Sequence, residues 1–304
     1  MHALSSGMRI GYPCINRTIG CQGDRTFRLA SYSEERLYET VAGNLACLQR
    51  ILAWNRESGI LFFRISSDLI PFASHPLCTH PWQDHFEGAF SAIGDYIRRE
   101  HMRISMHPDQ FIILNARDER IVERSITELS YHAEVLDLMG LDPSAKIQLH
   151  VGGMYGNRDE SMDRFIRVFG DLDPTIIRRL VIENDEQRYS AADCLGIHEQ
   201  TGIPVLFDVF HHTCNNSGES IGDMLTAVEK TWSSRDGLLM VDYSSQHPEK
   251  RPGSHAEHID SDDFSSFLAQ SRPHDFDVML EIKDKEASAR IAVQLIRNDP
   301  RFIG

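Results

Sequence analysis

The sequence carries little positive charge for its size: 31 lysines and arginines stand against 45 aspartates and glutamates, for a formal net charge of -14. A surface that binds nucleic acid through charge spread over the whole chain is therefore excluded. Contact with phosphates would have to rest on a local patch or on bound cations. No apolar run reaches the roughly 18 residues needed to span a bilayer, so no membrane helix is expected. The first residues, Met1-His2-Ala3-Leu4-Ser5-Ser6-Gly7, lack a basic region followed by an apolar run, which argues against a secretory signal. The six cysteines, Cys14, Cys21, Cys47, Cys78, Cys194 and Cys214, include no CxxC pair. They are expected to be reduced thiols of a cytoplasmic protein. Low-complexity tracts, Gly/Ser linkers and heptad runs are also missing, which excludes a tethered or coiled-coil architecture.

What is present is an alternation. Short β-branched and apolar runs are predicted as strands over Met8–Cys14, Ile60–Ser67, Arg103–His107, Lys146–Val151, Leu180–Asp185, Pro204–Val209, Leu238–Ser244 and Asp277–Lys283. Amphipathic stretches separate them: Ser33–Arg56, Asp84–Glu100, Glu119–Met139, Glu160–Phe169, Ala191–Thr201, Ile221–Trp232, Asp262–Ser271 and Glu286–Arg297. Eight strands each followed by a helix predict an α/β TIM barrel, (β/α)8, as one domain over residues 1–304. A doubly wound dinucleotide fold would place a GxGxxG turn after the first strand. Ile15-Asn16-Arg17-Thr18 stands there instead.

In a barrel the C-terminal strand ends build the site. Here they end in His107, His150, Glu183, Asp208 with His211 and His212, Asp242 with His255 a little later, and Glu281. One such residue is ordinary. Six successive strand ends each offering a histidine or carboxylate are not, because converging buried ionisable groups repel or desolvate one another unless cations hold them. The set has nitrogen and oxygen but no sulfur, which suits a divalent ion such as Mn2+, Zn2+ or Co2+, and its size suits two or three ions with a bridging carboxylate. The pattern alone leaves both a metallohydrolase and a metal-dependent sugar isomerase open.

Longer strings narrow the choice. Arg9-Ile10-Gly11-Tyr12-Pro13-Cys14, Phe63-Arg64-Ile65-Ser66-Ser67-Asp68 through His75-Pro76, and Met106-His107-Pro108-Asp109-Gln110-Phe111 come first. His150-Val151-Gly152-Gly153, Ile182-Glu183-Asn184-Asp185-Glu186, Phe207-Asp208-Val209-Phe210-His211-His212, Ser245-Gln246 leading to Arg251-Pro252-Gly253-Ser254-His255, and Leu280-Glu281-Ile282-Lys283 follow in order. In these strings the chain resembles the UV damage endonuclease family, from about Met8 to Lys285. The resemblance implies an endonuclease IV-like barrel that nicks double-stranded DNA immediately 5′ to cyclobutane dimers and (6-4) photoproducts with manganese or a similar ion. It implies metal ligation by His107, His150, Glu183, Asp208, His211, His255 and Glu281, with Glu183, Glu281 and His75 in catalytic roles. It also implies lesion contact by Tyr12, Asn16, Gln110 and Phe111. At Asp242 this chain departs from a family pattern that has histidine; a carboxylate is still an oxygen ligand, so Asp242 stays in the expected set. Lys250, Arg251, Arg17 and Arg25 are candidate phosphate contacts. A sugar isomerase or an abasic-site nuclease on the same barrel is the alternative. A monomer with no membrane partner is expected. The remaining histidines, and Trp54, Trp82 and Trp232, are expected to be structural or solvated.

Overall fold

Residues 7–109 and 111–304 are described by a computed structural model. Eight strands, β1 (Ile10–Pro13), β2 (Phe62–Ile65), β3 (Arg103–Met106), β4 (Lys146–His150), β5 (Leu180–Glu183), β6 (Val205–Asp208), β7 (Leu239–Tyr243) and β8 (Phe276–Leu280), pair in parallel and in sequence order. β8 pairs with β1, so the expected TIM barrel closes. Helices alternate with the strands: α1 (Glu34–Glu57), α2 (Trp82–Arg99), α3 (Glu119–Leu138), α4 (Arg158–Gly170), the single turn α5 (Pro174–Ile177), α6 (Ala191–Thr201), α7 (Val209–Cys214), α8 (Ile221–Glu229), α9 (Ser261–Gln270) and α10 (Glu286–Ile296). Among the described residues no helix is long and apolar enough to cross a membrane.

Period-two alternation sorts the strand residues into two surfaces. One set packs against the helices: Tyr12, Phe63, Ile104, Ile147, Ile182, Phe207, Val241 and Val278 join the main apolar core. The alternate set fills the barrel. Phe62, Val181, Leu206, Met240 and Met279 form a separate buried cluster, a plug one layer thick. Gly11 completes this layer, because a Cβ there would lie 2.5 Å from the Phe62 carbonyl oxygen. Two residues further along each strand the interior turns polar, with Arg64, Ser105, Gln148, Glu183, Asp208 and Asp242, all buried. The plug thus separates a polar mouth from the opposite end of the barrel.

Three expectations are corrected here. Cys21 and Cys47 form a disulfide, with Cα atoms 5.8 Å apart, so they are not reduced thiols. The absence of CxxC says nothing about cysteines 26 residues apart in sequence, and here the β1–α1 loop folds back onto α1. Cys14, Cys78, Cys194 and Cys214 are free. Second, His211 and His212 sit on α7, not on an extended strand end. Asp208 caps that helix by accepting from the His211 amide at 2.7 Å, and a capping aspartate starts a helix directly where β6 stops. Third, Glu281 and Lys283 lie past β8, which ends at Leu280.

Candidate metal centre

Backbone register brings the candidate ligands together in pairs. His150 is the cross-strand partner of Glu183, and Asp208 of Asp242. Glu183 is the hub. Its Oε2 lies 3.5 Å from His107 Nε2 and 3.9 Å from His150 Nε2, while its Oε1 lies 3.4 Å from His211 Nδ1. Three overlapping groups each gather ligand atoms within 4.8 Å: His107, His150 and Glu183; Glu183, Asp208 and His211; and Asp208, Asp242 and Glu281. His255 stands beside them, its Nε2 4.0 Å from Glu281 Oε2 and its ring centroid 6.0 Å from that of His211.

Backbone carbonyls orient the imidazoles. His107 Nδ1 lies 2.7 Å from the Pro108 oxygen, His255 Nδ1 2.7 Å from the Glu281 oxygen, and His211 Nδ1 3.1 Å from the Asn184 oxygen. A carbonyl oxygen only accepts, so each Nδ1 carries a proton; a neutral ring held this way keeps its lone pair on Nε2, the atom that His107 and His255 turn toward Glu183 and Glu281. That is the tautomer a metal-ligating histidine needs.

The floor beneath the ligands is a cation that sequence reasoning assigned no role. Arg64 Nη2 donates to Asp242 Oδ2 at 2.6 Å and to Gln148 Oε1 at 2.7 Å, and Nη1 donates to Glu281. The Gln148 amide in turn donates to Asp242 Oδ2 at 2.6 Å and to Glu183. Arg64 stood in the string from Phe63 to Asp68, and Gln148 in the predicted strand Lys146–Val151. Strand parity could have found them, since Arg64 and Gln148 share the inward set with the ligands. Glu186 was also passed over; its Oε2 lies 3.9 Å from His211 Nε2.

Electrostatics divides the four carboxylates. Burial alone would raise Glu183, but His150, His107 and His211 outweigh it and hold it well below the usual carboxylate range. Burial likewise opposes Arg64 at Glu281, where Arg64 prevails and brings the group to about 2. Asp242 is pushed up to about 7 by burial, with Glu281 and Glu183 adding to it against Arg64. Asp208 is raised well above its usual range, again by burial first, with Glu183 and Glu281 adding. Burial would lower His211, but Asp208 and Glu183 raise it to about 11. The mouth thus holds more negative charge than its own cations stabilise. Asp242 Oδ1, buried, has no hydrogen-bond partner among the described residues. A cation-hungry cluster with an orphaned carboxylate oxygen and preset Nε2 lone pairs fits divalent metal.

The other expected residues fall into two places. A cleft of about 260 Å³ adjoins His107 and His150 and is also lined by Arg188. Phe111, in the loop after β3, is 70% exposed and does not pack in the core. Gln110 lies outside the described residues. Lys250 and Arg251 are exposed, and Lys250 lies 3.9 Å from Glu257. Tyr12 and Asn16 are different. Tyr12 is fully buried and donates to Asn55 of α1 at 2.6 Å, while Asn16 donates to the Tyr12 hydroxyl at 2.9 Å. Both side chains are buried. Parity explains it, since Tyr12 belongs to the outward set that faces α1. Asn16 Oδ1 accepts from the Thr18 and Ile19 amides. His75 lies in the turn after β2, where its Nδ1 accepts from the Leu77 amide at 3.1 Å and its ring meets Phe72 edge-on.

The fold and site define a class: parallel (β/α)8 barrels with a histidine–carboxylate cluster at the C-terminal mouth. The profile of the UV-endonuclease UvdE family matches residues 8–302. The chain is 37% identical over 284 residues to a UV DNA damage endonuclease from Clostridium perfringens, covering 93% of this chain and 69% of that protein. It is 34% identical over 289 residues to the Bacillus cereus strain Q1 protein of the same name, covering 92% and 91%. The crystal structure of SacUVDE superimposes with a TM-score of 0.93 at 46% identity, covering 97% of this chain and 99% of that one. Endonuclease IV from Thermus thermophilus matches with a TM-score of 0.55 at 15% identity, and a D-psicose 3-epimerase from Clostridium cellulolyticum with 0.56 at 11%; these share the fold. This chain belongs to the UV-endonuclease UvdE family and is an endonuclease.

Proposed function

We propose that this endonuclease acts on double-stranded DNA carrying UV photoproducts, breaking the backbone immediately 5′ to the lesion with divalent metal, as a DNA-repair enzyme. The observation that carries the metal part is the overlap of three ligand groups around Glu183, Asp208 and Glu281. His107, His150, Glu183, Asp208, His211, Asp242, His255 and Glu281 would hold two or three ions. Manganese, zinc or cobalt suits these donors. Such ions supply positive charge to a scissile phosphate and its leaving oxygen.

The chain's own residues do the rest. Glu183, reached by three histidines, bridges the ligand groups. Arg64 and Gln148 hold Asp242, Glu183 and Glu281 in place from below. Arg188 in the adjoining cleft, with Lys250 and Arg251, meets backbone phosphates in a protein whose total charge would otherwise repel them. The exposed Phe111 ring, in the loop beside His107, enters a stack already weakened by damage, where the unstacking cost is smaller. An epimerase shares the barrel, but a solvent-facing phenylalanine beside the cluster has no role on a small sugar. Mapping the cut ends on a duplex with one cyclobutane dimer tests the position. A single nick directly 5′ to the dimer supports the proposal. Equal cutting of undamaged duplex, or no cutting at all, removes it.

A further inference from the structure

The barrel has a second polar end. At the N-terminal ends of the strands, across the apolar plug from the mouth, a cavity of about 520 Å³ opens between β3, β4 and β7. Arg9, Arg98, Arg103, Arg235 and His101 line it, against a single lining carboxylate, Asp142. In a chain of net charge -14 this is a local reversal of sign.

The carboxylates nearby are shared out thinly. Asp277 lies 3.1 Å from Arg9 and 3.9 Å from Arg103. Asp236 takes Lys146 at 2.5 Å and Arg235 at 3.8 Å, and Asp95 takes Arg98 at 2.6 Å. With Asp142, four acids face these five cations among the described residues. Arg103 has only a long ion pair, 3.9 Å from Asp277. It is 6% exposed, its Nη2 donates to the carbonyl oxygens of Asp236 and Leu238, and its Nε has no hydrogen-bond partner among the described residues. A buried guanidinium short of partners is costly and gains from an incoming anion. The chain also keeps space clear for it, since a Cβ on Gly237 would come 2.0 Å from Arg103 Nη1. Met102, Leu141 and Leu238 give the same cavity an apolar wall.

We propose that this basal cavity binds a phosphate-bearing anion of mononucleotide size, the phosphate on the arginines and the base or sugar against the apolar wall. The volume falls within the roughly 300–1,000 Å³ of small-ligand pockets. The plug makes the site independent of the metal centre, so the proposal does not rest on the function proposed for the mouth.

Calorimetric titration of the metal-loaded enzyme with ADP, and separately with inorganic phosphate, tests it. Arg235 and Ser144 stand at the rim of the cavity, where Arg235→Glu and Ser144→Glu each place an acid without emptying the interior. ADP is expected to bind and each variant to weaken it at least tenfold, with nicking activity unchanged. His107→Ala is expected to leave the ADP affinity unchanged. Tighter binding of ADP than of phosphate supports a role for the apolar wall. No binding of either probe, binding indifferent to both rim variants, or binding lost only in His107→Ala would overturn the proposal.

Discussion

Arg64 of β2 and Asp242 of β7, strands three steps apart around the barrel, meet at 2.6 Å beneath the ligand cluster, both buried. The same guanidinium reaches Glu281 and Gln148. Removing one partner of a buried pair leaves an uncompensated charge, which costs about 3–5 kcal/mol. Arg64→Met is therefore expected to lower the unfolding free energy of metal-free protein by about that much, as read by denaturant titration, and Arg64→Lys by less. An Arg64→Met protein as stable as the parent would show that the pair is not needed.

Glu183 touches all three of His107, His150 and His211. Glu183→Gln keeps the shape and removes the charge shared by two ligand groups. The nicking rate should fall by more than about tenfold, roughly 1.4 kcal/mol of transition-state stabilisation, and bound metal measured by elemental analysis should fall with it. Unchanged metal content would take the bridging role from Glu183.

Much of the site was legible from the sequence because barrel geometry sends every strand end to one mouth. His107, His150, Glu183 and Asp208 needed only the strand assignments, and His255 followed a little after the seventh strand end. What stayed hidden depends on facing direction and on tertiary closure. Tyr12 is named by the resemblance, and strand parity turns it toward α1. Arg64 and Gln148 look like ordinary strand polar residues until the barrel closes and sets them under the histidine–carboxylate cluster. Cys21 and Cys47 meet only because the β1–α1 loop folds back. The capping role of Asp208, which begins α7 and moves His211 onto a helix, was missed because the residue had already been counted as a ligand.

Phe111 is exposed, so its removal should leave stability nearly untouched, within about 0.5 kcal/mol, as is usual for surface substitutions. Phe111→Ala should nevertheless weaken binding to irradiated duplex by roughly 1–3 kcal/mol, the usual worth of stacking a base on an aromatic ring. Fluorescence anisotropy with irradiated and intact duplexes measures this. Equal loss on both duplexes would show general contact and no reading of damage.

His132 is buried in α3, its Nδ1 2.7 Å from the Glu128 carbonyl oxygen and its Nε2 3.1 Å from Ser67 Oγ. Burial lowers it from the usual 6.5 to about 4. The unfolded chain therefore takes up a proton below about 6.5 that the folded protein refuses until about 4. Stability from this group is fully present above pH 6.5 and falls as pH drops toward 4, by up to about 3 kcal/mol. His132→Gln should flatten that part of the profile relative to the parent, as measured by urea unfolding at pH 7 and pH 4.5. The same acid-side loss in both proteins would assign it to other groups.

In the proposed function the histidine–carboxylate mouth works only with divalent metal and acts on UV-damaged DNA. Supercoiled plasmid, irradiated or kept dark, is incubated with protein dialysed against a chelator, with and without Mn2+ restored. Nicked circles are expected only from irradiated plasmid with Mn2+ present. Full nicking by rigorously metal-free protein, or equal nicking of dark plasmid, would contradict it.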